Sequence, residues 1–471
     1  MTRVTTIEKG RVLAGFLAAT ICFVQISAGA DDGYQAPYKR DPYASTYIPR
    51  QAPDVAIIGA KALTGTGAEI ENATIVLTDG KITAIGGPDT PFSASTTVIE
   101  ASGKWVTPGI IDVHSHLGIG PIVESYKGDV NEKTSPITAE AWAEHAIWPQ
   151  DPGFARALAG GVTTLQILPG SANLIGGRGV SLKNVPAVIR SDMKFPGAPQ
   201  SLKMACGENP ISVYGGKSGP GTRMAMMAGY RKAWIKASAY KAEWDAYEIA
   251  FRKGQEAKLP TQDLQLDTLA AVLDGRILVH NHCYRADEMA AMIQMSHEFG
   301  YQITAFHHAV ESYKIADLLT KEGICSAMWA DWWGAKMEAY DSIDENIPMV
   351  ASAGACAIVH SDSADNIQRL NIDAARAWAD GRAVGLNFTK AQAFEWLTLN
   401  PAKSLGIADQ TGSLEVGKMA DVVIWSGDPF SIYTEAEKVF IDGTLYFDTS
   451  DPSVAYQSDY ETGLVQKGEY Q

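Results

Sequence analysis

Two histidines separated by one residue follow a short apolar run, a placement that suits metal binding. His114 and His116 belong to the string TPGIIDVHSHLG. Alternate residues of a β-strand face the same side, so both imidazoles can point at one ion. Because a single histidine at a strand end is more often structural than ligating, further ligands are needed before a metal site is indicated.

Three more polar residues stand at or just past the ends of apolar runs. His280 follows the run 277–279, His308 follows the run 303–306, and Asp362 comes shortly after a third run. In a parallel barrel the carboxyl ends of all strands open on one face, where the active sites of this architecture lie. Four imidazoles and one carboxylate at that face would form a metal site, and these donors favour zinc.

The segment 108–408 carries the pattern that such a barrel requires. Short apolar runs alternate there with helical stretches, which favours an α/β fold of the (β/α)8 TIM-like barrel type, with a doubly wound sheet as the alternative. The Gly-rich stretch 170–179 is not a G-x-G-x-x-G motif after a strand, so dinucleotide binding is not expected. Thr389 with Gln392 predicts a capped helix start, and 210–262 predicts helices over the barrel mouth.

Both flanks of this segment are rich in predicted strands. A two-residue Asp79-Gly80 turn between apolar runs predicts a hairpin, and strands are also expected at 420–425 and 438–446. Residues 53–107 and 409–448 are therefore expected to form one small β-sandwich domain from both chain ends. An N-terminal arm (31–52) and a C-terminal tail (449–471) complete the predicted organisation.

The composition describes an acidic globular protein. Of 471 residues, 46% are hydrophobic, and 39 Lys and Arg against 54 Asp and Glu give a net charge of −15. That hydrophobic content excludes wholesale disorder. A nucleic acid or an anionic membrane surface is not an expected partner, because either would be repelled by such a surface.

The first thirty residues resemble a secretory signal. Arg3, Lys9 and Arg11 precede a 13-residue apolar core, and Ala28-Gly29-Ala30 supplies small residues for a peptidase. Cleavage is expected after Ala30, giving a periplasmic or secreted protein, with a retained membrane anchor as the alternative.

The four cysteines outside that segment are far apart and show no C-x-x-C spacing. They are expected to be buried small hydrophobic residues rather than disulfides or zinc ligands: Cys206, Cys283, Cys325 and Cys356.

Several strings together resemble the amidohydrolase superfamily, with imidazolonepropionase-like and Xaa-Pro dipeptidase-like members the most similar. They are PGIIDVHSH, GGVTTLQILPGSANLIGGRG, LVHNH, FHHAVESYKIADLL, IVHSD and the closing TLNPAKSLGIADQTGSLEVGKMADVVIW with VFIDGTLYF. The resemblance spans about 54–447. It implies a metal-dependent hydrolytic barrel, with the flanking β-sandwich, in which a metal-activated hydroxide attacks a C–N bond.

The resemblance also implies a role for each strand-end residue. His114 and His116 match the ligands of the more buried metal, while His280 and His308 match those of a second metal. Asp362 matches a carboxylate that binds metal and shuttles the proton, so Asp362 and His308 are the implied catalytic residues.

Other histidines are given lesser roles. His282 and His307 are the alternatives to His280 and His308, because each stands in the same short motif. We expect His282 and His360 to support the ligands from behind. His307, His145 and His297 are expected to be packed or exposed without a function.

Relatives of this kind need an anionic bridge between two metals, and the fourth barrel strand must supply it. Lys203 lies inside an apolar strand, where an unpaired ammonium group would be costly. Carbamylation by CO2 would make it an anion that bridges two zinc ions. Glu208 is the alternative bridge, and a one-metal site is left open.

The sequence predicts the type of reaction more specifically than it predicts the substrate. Export suggests a dipeptide or an N-acyl amino acid as the small-molecule partner, and Tyr284, Arg285 and Arg178 are the candidate substrate-binding residues. A surface salt bridge for Arg285 and a structural loop role for Arg178 are the alternatives. The rival functions are a cyclic-amide hydrolase or deaminase of the same superfamily and a non-catalytic metal-binding protein; a homo-oligomer is left open.

Overall fold

The structure is a computed structural model that describes residues 34–120, 128–216, 219–332, 334 and 336–454. The predicted signal peptide, the first three residues of the arm and most of the C-terminal tail lie outside the described residues. No helix among the described residues is both long and apolar enough to cross a membrane.

The described elements alternate between strands and helices through most of the chain. The strands are β1 (Val55–Leu63), β2 (Glu69–Thr78), β3 (Lys81–Gly86), β4 (Thr97–Glu100), β5 (Trp105–Pro108), β6 (Ile110–Ser115), β7 (Val162–Ile167), β8 (Ile175–Lys183), β9 (Gln200–Ala205), β10 (Ile277–His282), β11 (Ile303–His307), β12 (Cys325–Met328), β13 (Ala357–Val359), β14 (Val422–Trp425), β15 (Ala436–Ile441) and β16 (Thr444–Asp448). The α-helices are α1 (Pro152–Ala159), α2 (Glu208–Tyr214), α3 (Arg223–Arg252), α4 (Leu264–Leu273), α5 (Ala286–Phe299), α6 (Ala316–Glu322), α7 (Asn346–Ser352), α8 (Leu370–Ala383), α9 (Lys390–Phe394) and α10 (Leu399–Ser404). Short 3-10 helices lie at Pro37–Lys39, Ala143–Ala146, Arg190–Asp192, Ser312–Ile315, Met337–Ala339, Asn366–Arg369 and Glu395–Leu397.

Strands β6 to β13 form a nearly closed sheet in sequence order. The two ends of this sheet meet where the Asp362 N–H donates to the His114 carbonyl at 3.0 Å. A doubly wound sheet would reverse its strand order part of the way along, and this sheet does not. The barrel prediction is therefore confirmed, and the doubly wound alternative is wrong.

One barrel strand runs against the others. β8 is antiparallel to β7 and to β9, whereas the remaining neighbours in the barrel sheet pair in parallel. Only residues 168–174 separate β7 from β8. A parallel crossover needs about a dozen residues or more, so this short connection turns the chain straight back.

The second sheet contains strands from both ends of the described chain. Its order is β16-β15-β14-β5-β1-β2-β3, with β4 paired to β1, so the expected sandwich domain is one continuous hydrogen-bonded sheet. The predicted β2–β3 hairpin is confirmed: Asp79 and Gly80 have φ of 49° and 74°, as a two-residue turn between twisted strands requires. The capping box of Thr389 and Gln392 at the start of α9 is also confirmed.

The long helix α3 does not cover the barrel mouth, contrary to prediction. It packs along α4 and α5 on the outside of the barrel, with Tyr230 and Trp234 fully buried. Its first turns reach the rim of the mouth, where the Tyr230 hydroxyl donates to the Ala205 carbonyl at the end of β9. Near its other end, Glu248 binds the N-terminal arm through the Ala36 N–H and the Lys39 ammonium group. The amphipathic face of α3 fits the outer layer because its buried residues recur at helical spacing.

Two disulfides join neighbouring barrel strands, so the prediction of free cysteines is wrong. Cys206 and Cys283 follow the register pair that ends β9 and β10, and their Cα atoms are 5.3 Å apart. Cys325 and Cys356 stand side by side at the amino ends of β12 and β13, with Cα atoms 4.4 Å apart. Strand register brings together cysteines that are 77 positions apart in the first disulfide and 31 positions apart in the second. This register cannot be deduced from the spacing of the cysteines in the sequence.

A buried lysine connects the barrel to the second sheet. The Lys183 ammonium group lies 2.8 Å from Asp442 Oδ2 and 3.3 Å from Asp421 Oδ1, and Tyr47 of the arm donates to Asp442. Lys183 is fully buried. Burial and the neighbouring Asp421 raise the pKa of Asp442. The Lys183 ammonium group offsets the repulsion between these two buried carboxylates.

Replacing this lysine should destabilise the fold strongly. Lys183→Met leaves two buried carboxylates without their cation, and we expect a loss of about 3–5 kcal/mol in the free energy of unfolding. Urea denaturation of the parent and variant measures it. Arg231→Met removes an exposed pair with Glu298 and is the matched control, for which we expect near-parental stability. Equal effects of the two variants would contradict the role assigned to Lys183.

Candidate metal centre

The sheet closure brings the first histidine pair against Asp362. His116 Nε2 lies 3.1 Å from Asp362 Oδ1, and His114 Nε2 lies 3.5 Å from the same oxygen. His116 Nδ1 donates to the Leu168 carbonyl at 2.8 Å, which fixes the tautomer and leaves Nε2 as an electron-pair donor. These three side chains can hold one metal ion.

A buried carboxylate behind the pair orients this corner of the site. Asp112 accepts from the His114 N–H at 3.1 Å and from the Ser361 N–H at 3.3 Å. It therefore connects the end of β6 to the loop that carries Asp362. Burial raises the pKa of Asp112 to about 6, against the lowering effect of these hydrogen bonds.

His308 approaches Asp362 from the next side of the barrel. Its Nε2 lies 3.7 Å from Asp362 Oδ2, and its ring packs against the His114 ring at 4.3 Å between centroids. His308 and Asp362 both have positive φ, 56° and 50°. Non-glycine residues in this region cost roughly 1–3 kcal/mol each, a strain that is concentrated at functional sites.

His360 belongs to the cluster as well. Its Nε2 accepts from the His308 N–H at 3.3 Å, and the rings of His114, His308 and His360 bring ligand nitrogens within 4.8 Å of one another. The hydrogen bond with His308 agrees with the supporting role predicted for His360. The position of His360 would also allow it to bind a metal directly.

The two histidines of β10 differ in depth. His280 Nδ1 shares a hydrogen bond with His307 Nε2 at 2.8 Å, and its Nε2 lies 3.4 Å from Gln166 Nε2. His307 Nδ1 in turn shares one with His114 Nδ1 at 2.9 Å. Both nitrogens of His280 thus face other side chains inside the barrel rather than the open end.

His282 stands one layer closer to the mouth. Its ring packs against His308 at 4.8 Å between centroids, and its buried Nδ1 has no hydrogen-bond partner among the described residues. The arrangement therefore favours His282 over His280 as a ligand beside His308, which reverses the order of preference inferred from the sequence. Residues two apart share a face but differ by about 7 Å along the strand, and sequence alone did not show which depth the site occupies.

Burial keeps the imidazoles of the cluster neutral. It lowers the pKa of His280 to about 3 and of His360 to about 4, and it lowers the pKa values of His114, His282 and His308 well below their usual range. Neutral imidazole is the form that ligates a metal. The site is therefore ready to bind a cation at neutral pH without first losing protons.

Asp362 keeps its negative charge beside these rings. Burial alone would raise the pKa of Asp362, but the contact with His116 and the nearby Lys203 hold it below its usual value. An ionised carboxylate among neutral imidazoles matches the donor set of a zinc site.

Lys203 reaches the cluster from β9. Its Nζ lies 3.5 Å from His114 Nε2 and donates to the Pro169 carbonyl at 3.0 Å, and the residue is fully buried. Burial lowers the pKa of Lys203 to about 7, because the ammonium form loses its hydration. A neutral amine is the form that reacts with CO2.

Glu208 lies in a different environment from Lys203. It begins α2, and its backbone N–H donates to Glu338 Oε2 at 2.9 Å in the cleft at the mouth. Of the two candidate bridges, Lys203 is the one that contacts a histidine of the cluster.

Only one of the three predicted substrate-binding residues lies against the cluster. Tyr284 is buried with its ring 4.5 Å from that of His282, and its hydroxyl accepts from Lys336 Nζ at 3.2 Å. Arg285 is partly exposed and bound to Asp287 by two hydrogen bonds of 2.9 Å, so the surface salt bridge describes it better.

Arg178 lies outside the site, and its prediction as a substrate contact is wrong. Gly177 of β8 is the register partner of Lys203, so the neighbouring Arg178 points away from the barrel interior. Its Nε donates to Thr268 of α4 at 2.8 Å. The sequence did not predict the reversed direction of β8, on which the position of Arg178 depends.

The structure adds residues that sequence reasoning missed. The Trp329 ring stacks on His308 at 4.3 Å between centroids, and Asn209 Nδ2 lies 3.3 Å from His282 Nε2. His307, expected to have no function, lies inside the cluster. Gln166 could have been noticed, because it is a polar residue inside the buried run of β7. His145 and His297 lie elsewhere, the first beside Trp142 and Arg190 and the second paired with Glu322.

The disulfide at the open end of the barrel should stabilise the metal centre locally. Cys206 is three residues from Lys203, and Cys283 directly follows His282. Replacing both cysteines with Ser should reduce the metal retained after dialysis, in addition to a general loss of about 2–4 kcal/mol of stability. Metal analysis and thermal unfolding measure the two effects separately.

The second disulfide offers the matched control. Ser at both Cys325 and Cys356 removes a bridge of the same kind at the opposite, amino-terminal end of the barrel strands. That variant should lose stability but keep its metal. Equal metal loss in both double variants would show that the effect is global.

Comparisons with known proteins agree with the architecture. A profile of the Amidohydrolase family matches residues 269–456. Amidohydrolase tasK of Hapsidospora irregularis is 33% identical in an alignment of 408 residues that covers 82% of this chain and 40% of that protein. The chain therefore spans less than half of the length of that relative. An imidazolonepropionase of Agrobacterium fabrum is 25% identical over 395 residues, covering 77% of this chain and 86% of that one. The crystal structure of an amidohydrolase from Thermotoga maritima superposes with a TM-score of 0.76 and 32% identity, covering 84% of this chain and all of that one.

Proposed function

Because the chain belongs to the amidohydrolase family, we propose that it hydrolyses a C–N bond of a small molecule, namely a dipeptide or an N-acyl amino acid. The observation that carries this proposal is the cluster itself. Neutral imidazoles, one ionised carboxylate and one buried lysine converge at the carboxyl ends of the barrel strands, where active sites of this architecture lie. Members of this superfamily typically use a metal, and the cluster offers the donors for one.

The donor set fits two zinc ions. His114, His116 and Asp362 would hold the first, while His308 and His282 would hold the second. Lys203 would bridge the two as a carbamate, formed when its neutral Nζ bonds to the carbon of CO2 and releases a proton. When bound, zinc lowers the pKa of water toward about 7 and polarises a carbonyl.

The chain's own groups supply the proton transfer and the walls of the site. Asp362 is ionised and faces the donor nitrogens, so it can take a proton from the attacking water and pass it to the departing nitrogen. Trp329, stacked on His308, and Tyr284, packed on His282, restrict the space beside these rings.

A cation at the mouth supports a substrate with a free carboxylate. Lys336 Nζ lies 3.2 Å from the Tyr284 hydroxyl, and burial lowers the pKa of Lys336. No described carboxylate forms an ion pair with it. We assign to Lys336 the recognition that the sequence suggested for Arg285.

Turnover against a panel of substrates tests this function. The zinc-loaded protein should hydrolyse dipeptides or N-acyl amino acids in preference to their C-terminal amides, by roughly 10–100-fold in kcat/KM. Lys336→Met should remove most of this preference. Exposed Lys314→Met, which breaks pairs with Glu311 and Asp341, is the control. Equal rates for acids and amides would contradict the assigned substrate class.

The second candidate function is hydrolysis of a cyclic amide. The similarity to an imidazolonepropionase favours it, since an imidazolone is a cyclic amide. Faster turnover of cyclic amides than of any open-chain substrate in the same panel would replace the first proposal with this one.

We also propose that the protein is exported, with cleavage after Ala30. The two disulfides support this, because such bonds persist in oxidising compartments. N-terminal sequencing of the protein from the producing cell should begin at Asp31. A mature protein that retains Met1 would contradict the proposal.

A further inference from the structure

A second cleft lies at the opposite end of the barrel from the metal centre. It opens at the amino-terminal ends of β9 and β10 and has a volume of about 370 Å³. Arg178, Gln200 and Arg276 line it on the barrel side, and Lys39 and Arg40 of the N-terminal arm line the other. Nothing in the proposed hydrolysis uses this cleft.

The cleft carries an excess of positive charge. Lys39 is neutralised by Glu248 at 2.6 Å, and the lining Asp41 is paired with Lys194 at 3.0 Å. The guanidinium groups of Arg178, Arg40 and Arg276 form no ion pair with any described carboxylate. Arg40 and Arg276 donate to the backbone carbonyls of Gln35 and Lys39 at 2.6 Å, which leaves their charges uncompensated. Three arginines without an ion pair around one cleft are unexpected in a chain whose net charge is −15.

The Arg178 side chain is buried in the wall of the cleft and is held there by hydrogen bonds. It is only 5% exposed, its Nε donates to Thr268 at 2.8 Å, and its Nη1 donates to Gln200 Oε1 at 2.6 Å. The guanidinium group lies 4.0 Å from the Trp142 ring centre, which holds its plane. Its orientation is therefore set before any ligand arrives.

Two donors in this wall lack an acceptor. Gln200 Nε2 is buried without a hydrogen-bond partner, and Arg178 Nη2 makes no hydrogen bond to a described residue. Leaving a buried donor such as Gln200 Nε2 unpaired is costly, and Arg178 Nη2 has no competing acceptor among the described residues. An oxygen-rich anion is the group that would satisfy both.

We propose that this cleft binds a small anion through a carboxylate or phosphate group. The fixed Arg178 supplies the buried charge-assisted contact, and Arg276 closes over the ligand from the exposed side. The site is separate from the metal centre, so the inference does not depend on the proposed hydrolysis.

Calorimetric titration of the metal-loaded full chain with succinate, and separately with inorganic phosphate, tests the proposal. At constant ionic strength we expect saturable binding of about one anion per chain at this cleft for at least one of the two probes. The probe that binds identifies the favoured group, and sucrose should give no signal.

Variants separate this cleft from other anion sites. Arg178→Met should weaken the binding at least about tenfold, and Arg276→Ala should weaken it severalfold while its exposed position preserves folding. Arg231→Met, which changes an exposed arginine elsewhere, should bind as the parent does. Absence of saturable binding, or binding that survives both cleft variants because it occurs at the metal centre, would overturn the proposal.

Discussion

Asp362→Asn should lower turnover by about a hundredfold or more while most of the metal stays bound. Asparagine keeps the shape and one ligand oxygen of Asp362, whose carboxylate lies within 3.7 Å of nitrogens of His114, His116 and His308. It cannot accept a proton from water and return it to the leaving nitrogen, and loss of a general acid–base group has about this cost. Steady-state kinetics and metal analysis on the same sample measure both quantities.

A nearby aspartate gives the control for this variant. Asp365→Asn changes an exposed side chain three residues further along the same loop, and its turnover should be parental. If Asp362 served only to close the strand-end loop, asparagine would replace it well. Near-parental turnover of Asp362→Asn would therefore remove Asp362 from the mechanism.

Lys203→Ala should remove one of about two metal ions per chain and reduce activity by on the order of a hundredfold. The side chain is fully buried against His114 and Pro169, so its loss leaves a cavity at the position of the bridge. A small carboxylic acid such as formate fits a cavity of this kind and should restore part of the activity. Metal analysis with and without formate measures the effect.

Glu208→Gln discriminates between the two candidate bridges. It should retain both metals, because the described contacts of Glu208 are at the mouth and not with the histidine cluster. The reverse pattern, with metal lost in Glu208→Gln and kept in Lys203→Ala, would transfer the bridging role to Glu208.

The sequence predicted which strand ends bring their polar side chains together but not how deep each residue lies. His114, His116, His308 and Asp362 could be placed at one face because each stands at or just past the end of an apolar run. His282 could not be ranked above His280, because both share a face and only the bounds of β10 show which is nearer the mouth.

Features that depend on pairing between strands were beyond prediction for a related reason. The disulfides depend on the register of β9 with β10 and of β12 with β13. The place of Arg178 depends on the direction of β8, which a short connection reverses. Neither the register nor the direction of a strand can be deduced from local composition. A tight turn can be, because it requires particular residues such as Asp79-Gly80.

The row of side chains from His114 through His307 and His280 to Gln166 has a consequence for proton positions. With His114 Nε2 bound to a metal, its Nδ1 must carry hydrogen and donate to His307 Nδ1. His307 Nε2 then donates to His280 Nδ1, so His280 must carry its hydrogen on Nε2. His280 Nε2 therefore needs an acceptor. Gln166 Oε1, which has no partner among the described residues, provides it if the side-chain amide of Gln166 is rotated by 180°. A bound metal would thus select one tautomer for three rings at once, all polarised in the same direction. Because His114 would then donate to a neutral ring and not to a carboxylate, it would be a weaker electron donor, and a metal held by it would be a stronger Lewis acid.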